Sequence, residues 1–365
     1  MEPAADNGER SPSQARRARL RVRLADAGLD ALLVTRLVNV RYLTGFTGSA
    51  AALLVTADDD GDLLVTDARY AERACAEAPG LRRHITRGSD WLEQRLEAGT
   101  TLGLESHDVS WDRARRLADL LGEVTVVPAP GHVEALRAVK DPDEIAVLRR
   151  ACAVADAAFS GLPEWLAPGL TERDVAVRLE RDMVDLGAAD RSFETIVASG
   201  PNSAVPHHRP TRRVLERGDV VELDYGALVD GYHSDMTRVL CLGEPIRALR
   251  EVFAVVRSAQ EAGLAACVDG AEAQAVDAAC RDVIAEAGHG DRFVHGTGHG
   301  LGLEIHEDPY LGPGAAATLR SRMVVTVEPG VYLPGVGGVR IEDALAVTTG
   351  DPDVLTCTPK DLVVL

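Results

Sequence analysis

No two of the six cysteines (Cys75, Cys152, Cys241, Cys267, Cys280 and Cys357) form a C-x-x-C pair. In a chain of 365 residues that excludes a disulfide scaffold or a cysteine-built zinc site and reads as reduced thiols. No stretch approaches the roughly 18 consecutive apolar residues a membrane span needs. Residues 1–13 are polar and lack the apolar core of a signal peptide. A basic surplus is also missing: 39 Lys and Arg against 57 Asp and Glu leave a formal charge of −18. Surfaces of clustered cations are therefore not expected, and neither nucleic acid nor a membrane is an expected partner. The expectation is a soluble, cytoplasmic protein. Nucleotide motifs fail too: for G-x-G-x-x-G starting at Gly296 the last position is Leu301, and no Gly-Lys-Ser/Thr occurs. The H-E-x-x-H zinc motif is absent, since the residue four after His306 is Tyr310.

What is present is globular. The chain is 46% hydrophobic and 26% charged, and its length suits two domains of roughly 100–200 residues each. A disordered tail is expected over 1–12, a first domain over 13–130 and a second over 131–365, divided at Pro128-Ala-Pro130, where paired prolines resist helix and central strand. In the first domain the pattern predicts helices over 14–27, 68–78, 90–98 and 111–121. It predicts strands over 31–35, 50–56, 62–66, 102–104 and 124–127, a small α/β layer. In the second, helices are expected over 141–160, from Leu170 onward (Thr171 as N-cap, Asp174 three residues on), over 246–266 and over 274–287. Strands are expected over 193–198, 220–225, 232–240, 324–328 and 338–346. Helices, a strand pair, helices and another strand pair predict a duplicated α-α-β-β unit, an α+β fold with a curved antiparallel sheet.

The most informative segment runs from Asp219 to Arg238. Asp230-Gly231 is a two-residue hairpin turn between apolar strands. Turning there pairs Val229 with Tyr232 and sets Asp224 opposite Thr237, so Asp224, Gly226, Asp235 and Thr237 share a face. Two carboxylates then lie diagonally across a strand pair, within reach of a common ion. Glycines on both sides of His299, in GTGHGLGLEIHE (296–307), let the backbone approach closely and present an imidazole. Glu328 ends an apolar strand, and Glu342 sits inside another. An ionised carboxylate among valines and isoleucines costs several kcal/mol unless paired or metal-bound. Asp224, Asp235, Glu328 and Glu342 together carry four negative charges, which two divalent ions would neutralise. Oxygen-rich ligation with one imidazole favours manganese, with cobalt, zinc or iron as alternatives. Two such ions about 3.5–4 Å apart can share a bridging hydroxide, polarise a carbonyl and stabilise the tetrahedral oxyanion.

This constellation resembles the pita-bread metallopeptidases: Xaa-Pro dipeptidases (prolidases), Xaa-Pro aminopeptidases and methionine aminopeptidases. Segments 39–48 (NVRYLTGFTG), 66–70 (TDARY) and 137–145 (RAVKDPDEI) resemble the proline-specific branch. The resemblance implies a creatinase/prolidase-type first domain, a pita-bread catalytic domain and a homodimer. It implies that Asp224 chelates one ion, that His299 and Glu328 hold the other, and that Asp235 and Glu342 bridge them. Glu328 would also shuttle the proton. His207 would stand on the substrate side, and His306 would steady the oxyanion or the scissile amide. Arg340 would contact a substrate carboxylate or support Glu342. His208 departs from the small residue expected after His207, while His233 and His295 read as packing or supporting residues. Arg36 would either reach a neighbouring subunit's cleft or be an exposed loop arginine. The implied activity is hydrolysis of the bond preceding proline in small peptides with proline second. A dipeptidase is expected first and an Xaa-Pro aminopeptidase as the alternative; a non-catalytic binding protein and a creatinase-type amidinohydrolase on the same fold are more distant.

Overall fold

The computed structural model describes residues 11–365, and of the tail expected over 1–12 residues 1–10 lie outside them. Ser11 and Pro12 are not tail. Ser11 caps the helix Pro12–Asp26, accepting at Oγ from Gln14 N (3.3 Å), while Gln14 Oε1 accepts from Ser11 N (2.9 Å).

The described residues up to Arg137 form one compact unit and Ala138–Leu365 another. The first is built on a six-stranded sheet in the order Arg82–Ile85, Leu63–Thr66, Ala51–Thr56, Ala31–Val34, Thr101–Leu104, Thr125–Pro128. Only Ala51–Thr56 runs antiparallel to its neighbours. Pro128 closes an edge strand, where its missing N–H breaks no ladder. The helix expected over 90–98 is a single 3-10 turn, Asp90–Leu92. Trp91 and Leu92 are buried while 93–95 are exposed, and one turn burying two side chains does not offset helix nucleation. The helix Leu37–Thr44 was not foreseen; it ends at Gly45, whose φ of 82° suits glycine.

In the second unit, Asp141 and Thr171 cap the helices Pro142–Ser160 and Glu172–Asp185, each in a reciprocal box with the acid three residues on. Both helices pack in one cluster with Val197, Val221, Leu223, Tyr225 and Leu240. Those residues belong to the sheet ordered Val363–Val364, Met236–Cys241, Val220–Tyr225, Ile196–Ser199. Helices Arg247–Ala266 and Ala273–Glu286 join a second cluster with Val325, Val327 and Leu345. That side is the sheet Glu307–Leu311, Gly298–Gly300, Val324–Val327, Asp343–Ala346, Asp353–Val354. Two helices then strands, twice over, give the α+β architecture expected. The hairpin register is as predicted, with Val229 opposite Tyr232 and Asp224 opposite Thr237.

Two strands expected to be continuous are broken. The first is interrupted between Tyr232–His233 and Met236–Cys241, the second between Gly337–Arg340 and Asp343–Ala346. The breaks fall at Asp235 and Glu342, so these side chains leave the regular ladder. No helix among the described residues is long and apolar enough to cross a membrane.

Candidate metal centre

Five chain segments of the second unit deliver the polar groups. Asp224 comes from the strand Val220–Tyr225, Asp235 and Glu342 from the two strand breaks, His299 from Gly298–Gly300, and Glu328 from just beyond Val324–Val327. Asp235, His299 and Glu342 each offer a ligand atom, all within 4.8 Å of one another. His299 Nε2 is 3.6 Å from Asp235 Oδ2 and 3.4 Å from Glu328 Oε1. On the other side of the ring, Nδ1 donates to Gly300 O (3.0 Å). A carbonyl only accepts, so the proton sits on Nδ1 and the Nε2 lone pair faces the acids.

Burial is the main reason Asp235, Glu328 and Glu342 hold their protons, with repulsion from neighbouring acids adding to it. The Asp235 and Glu342 carboxyls are pushed well above the ordinary range by burial and then by neighbouring acids, Asp224 among them. Burial likewise pushes Glu328 up to about 8, with Asp224 adding to it against the opposing pull of Arg340. All four acids therefore share one field. Burial lowers His299 to about 4, which keeps its imidazole neutral near pH 7.

A buried cation ties part of the group together. Arg340 is 3% exposed. Its Nη2 donates to Asp224 Oδ2 (2.7 Å), its Nε to Thr237 Oγ1 (3.1 Å) and its Nη1 to the Tyr332 hydroxyl (2.9 Å). Thr237 Oγ1 in turn donates to Glu342 Oε2 (2.7 Å). Arg340 Nη1 is also 3.1 Å from Glu222 Oε1, an ion-pair contact too poorly aligned for a hydrogen bond. Glu222 is fully buried, and burial pushes its carboxyl to about 7. It escaped the sequence reading, although period-two alternation from Asp224 puts it on the same strand face.

His299 and His306 meet edge to face, ring centroids 4.4 Å apart. His207 and His306 both open to solvent, and partial desolvation of the His306 ring, then nearby His207, lower the His306 pKa. His295 Nδ1 donates to Gly296 O (2.8 Å), so its Nε2 accepts from the Tyr332 hydroxyl (2.8 Å). His233 faces Ser192, and His208 Nε2 lies 2.9 Å from Glu172 Oε2.

Residues 146–349 match the model of metallopeptidase family M24, and residues 16–139 match the creatinase/prolidase N-terminal domain. The chain belongs to metallopeptidase family M24. It is 39% identical to a solved Xaa-Pro dipeptidase from Bacillus anthracis, with a TM-score of 0.93, covering 97% of this chain and 100% of that one. It is 34% identical over 335 residues to the Xaa-Pro dipeptidase of Pyrococcus furiosus, covering 92% of this chain and 95% of the relative. An X-Pro aminopeptidase from Thermotoga maritima is also 34% identical, with a TM-score of 0.88 over 96% of this chain and 99% of that one.

As an M24 metallopeptidase the chain is an enzyme, and its family implies divalent metal ions. The donors fit such ions. Asp224 Oδ1 and Glu342 Oε1 are buried without a hydrogen-bond partner among the described residues, a costly state that a cation would relieve. Carboxylate oxygens with one neutral imidazole form a hard, oxygen-rich set. The structure brings together Asp224, Asp235, His299, Glu328 and Glu342, with His306 alongside. Of the two roles expected of Arg340, its contacts resemble support for Glu342 rather than a substrate carboxylate contact: each guanidinium nitrogen already has a protein partner, and Thr237 links it to Glu342. Arg36 pairs with Glu134 within the first unit, Nη1 to Oε1 at 3.4 Å.

Proposed function

We propose that this M24 enzyme hydrolyses the peptide bond preceding proline in dipeptides, with two divalent ions, manganese first, held by Asp224, Asp235, His299, Glu328 and Glu342. The observation that carries the reading is the meeting of Asp235, His299 and Glu342, with Glu328 against the imidazole and with buried oxygens of Asp224 and Glu342 that no donor among the described residues satisfies. Bound there, the ions supply Lewis acidity toward a carbonyl oxygen and toward water. The protein's own groups do the rest. Arg340 and Thr237 fix Asp224 and Glu342 by hydrogen bonds, and the Nδ1 contact fixes the tautomer of His299. Glu328 takes the proton of the attacking water and passes it to the leaving amine. His306 and His207, on the exposed side, orient the substrate and donate to the developing oxyanion. Proline makes the scissile bond a tertiary amide of restricted geometry, which calls for a dedicated pocket.

The Thermotoga maritima relative supports a second reading, an aminopeptidase acting on longer peptides. Turnover of Ala-Pro and Ala-Pro-Ala separates the two. The dipeptide is expected to be cleaved faster, and an equal or faster tripeptide would establish the aminopeptidase. Chelation is expected to abolish cleavage and added manganese to restore it. Activity that survives chelation, or that no divalent ion restores, overturns the metal assignment.

A further inference from the structure

Glu172 opens the helix Glu172–Asp185 directly after its cap, and its side chain is fully buried. Oε1 accepts from Ser199 N (2.9 Å), Ser199 Oγ (2.8 Å) and Asn202 Nδ2 (2.9 Å). Oε2 accepts from His208 Nε2 (2.9 Å), Thr211 N (3.0 Å) and Thr211 Oγ1 (2.6 Å). Every donor comes from 199–211, the segment that carries His207. The helix's first turn adds two more ties with N–H groups it cannot pair internally: Glu172 N donates to Arg213 O and Arg173 N to Thr211 O, both at 3.1 Å. At the middle of the segment, Ser203 Oγ accepts from Gly338 N (2.8 Å), and Pro206 O accepts from Arg340 Nη1 (3.4 Å).

One carboxylate thus clamps both ends of a segment whose centre is seated on the strand Gly337–Arg340. Burial alone would raise the Glu172 pKa, but the hydrogen bonds from Thr211, His208, Asn202 and Ser199 outweigh it and bring it down to about 2. The clamp is therefore charged at any working pH. It also accounts for His208: that ring turns in to Glu172, while His207 is left exposed beside His306 and His295.

We propose that Glu172 is a positioning residue for the reaction, fixing 199–211 so that His207 stands where the substrate binds. The proposal rests on the reading of His207 as a substrate-side group. A double-mutant cycle on the full-length, manganese-loaded enzyme tests it with Ala-Pro as substrate. Glu172→Gln is expected to lower kcat/KM roughly 10- to 100-fold with unchanged metal content by elemental analysis. In a His207→Ala background the same change should cost less than about twofold, because the group it positions is gone. Hydrogen exchange of the chelated protein supplies a readout independent of activity: Glu172→Gln should speed exchange in 199–211 and at Gly338, whose N–H is held by Ser203, and leave the strands Val324–Val327 and Asp343–Ala346 unchanged. Equal losses in both backgrounds, no loss at all, or exchange that rises throughout the second unit would each overturn the proposal. A harmless His207→Ala would overturn it together with the assigned role of His207. A damaging His207→Ala combined with additive losses overturns the clamp alone. Should Glu172→Gln fail to fold, Asn202→Ala with Thr211→Val, which keeps the carboxylate and removes two donors, is carried through the same measurements with the same expected pattern.

Discussion

Thr237 has no charge and was singled out in the sequence only as the neighbour of Asp224 across a hairpin. Its hydroxyl nevertheless donates to Glu342 and accepts from Arg340, so one oxygen couples the acid from one strand break to the cation that holds Asp224. Thr237→Val keeps the shape and removes the link. Its expected effect is a 10- to 100-fold loss of manganese affinity, the usual range for a group that orients a ligand, measured by calorimetric titration of the chelated protein. Unchanged affinity would mean that Glu342 is held by its backbone alone. The five residues proposed to hold metal were legible in the sequence because a carboxylate among valines, or an imidazole between glycines, is out of place unless something binds it. Glu222 and Thr237 were not, since the first looks like one more acid and the second like an ordinary strand residue.

Elements reach their positions here through close backbone approach. A Cβ at Gly298 would lie 2.0 Å from Thr326 O, and one at Gly226 would lie 1.8 Å from Ser234 O. The first contact joins the strands that carry His299 and Glu328, the second lies at the bend between Asp224 and Asp235. Gly298→Ala must push two backbones apart, so a loss of at least about 1–3 kcal/mol is expected, with kcat/KM falling alongside it. Thermal unfolding and steady-state kinetics check this against Gly350→Ala, which meets nothing within 4 Å and should change stability by less than about 0.5 kcal/mol. Caps and turns could be read from the sequence because their signals are local: Thr171 and Asp230-Gly231 act where expected, and the helix expected from Asp141 starts there, with Asp141 as its cap. The strand Gly298–Gly300 could not, because glycine carries no strand propensity and only the neighbouring strands make it pair.

For the molecule as a whole, the crowded acids give the metal-free enzyme a distinctive dependence on pH. Glu328, pushed up to about 8, Glu222, pushed to about 7, and Asp235 and Glu342, raised well above the ordinary range, bind protons more tightly folded than unfolded. Unfolding therefore releases protons, and stability falls as pH rises from the ordinary carboxyl range through about 8. His299 and His295, both lowered to about 4 chiefly by burial, act in the opposite sense, but only from about 4 to the ordinary imidazole value near 6.5. The interval from about 6.5 to 8 isolates the acids. The melting temperature of the chelated protein should fall across it, and saturating manganese should raise that temperature more at pH 8 than at pH 6.5, because metal displaces those protons. A melting temperature that is flat with pH and with metal would contradict the raising of these carboxyls by burial and by one another.

The sequence by itself determined the two-part α+β plan, the hairpin register that sets Asp224 opposite Thr237, and the chemical kind of the site. Each of these follows from local periodicity, turn chemistry or the cost of a charge in an apolar setting. Only the tertiary structure decided that two strands break at Asp235 and Glu342, that Arg340 is buried among the acids, and that Glu172 gathers the segment bearing His207. Those outcomes depend on which backbones come within hydrogen-bonding distance across long stretches of chain, and no spacing along the sequence encodes that distance.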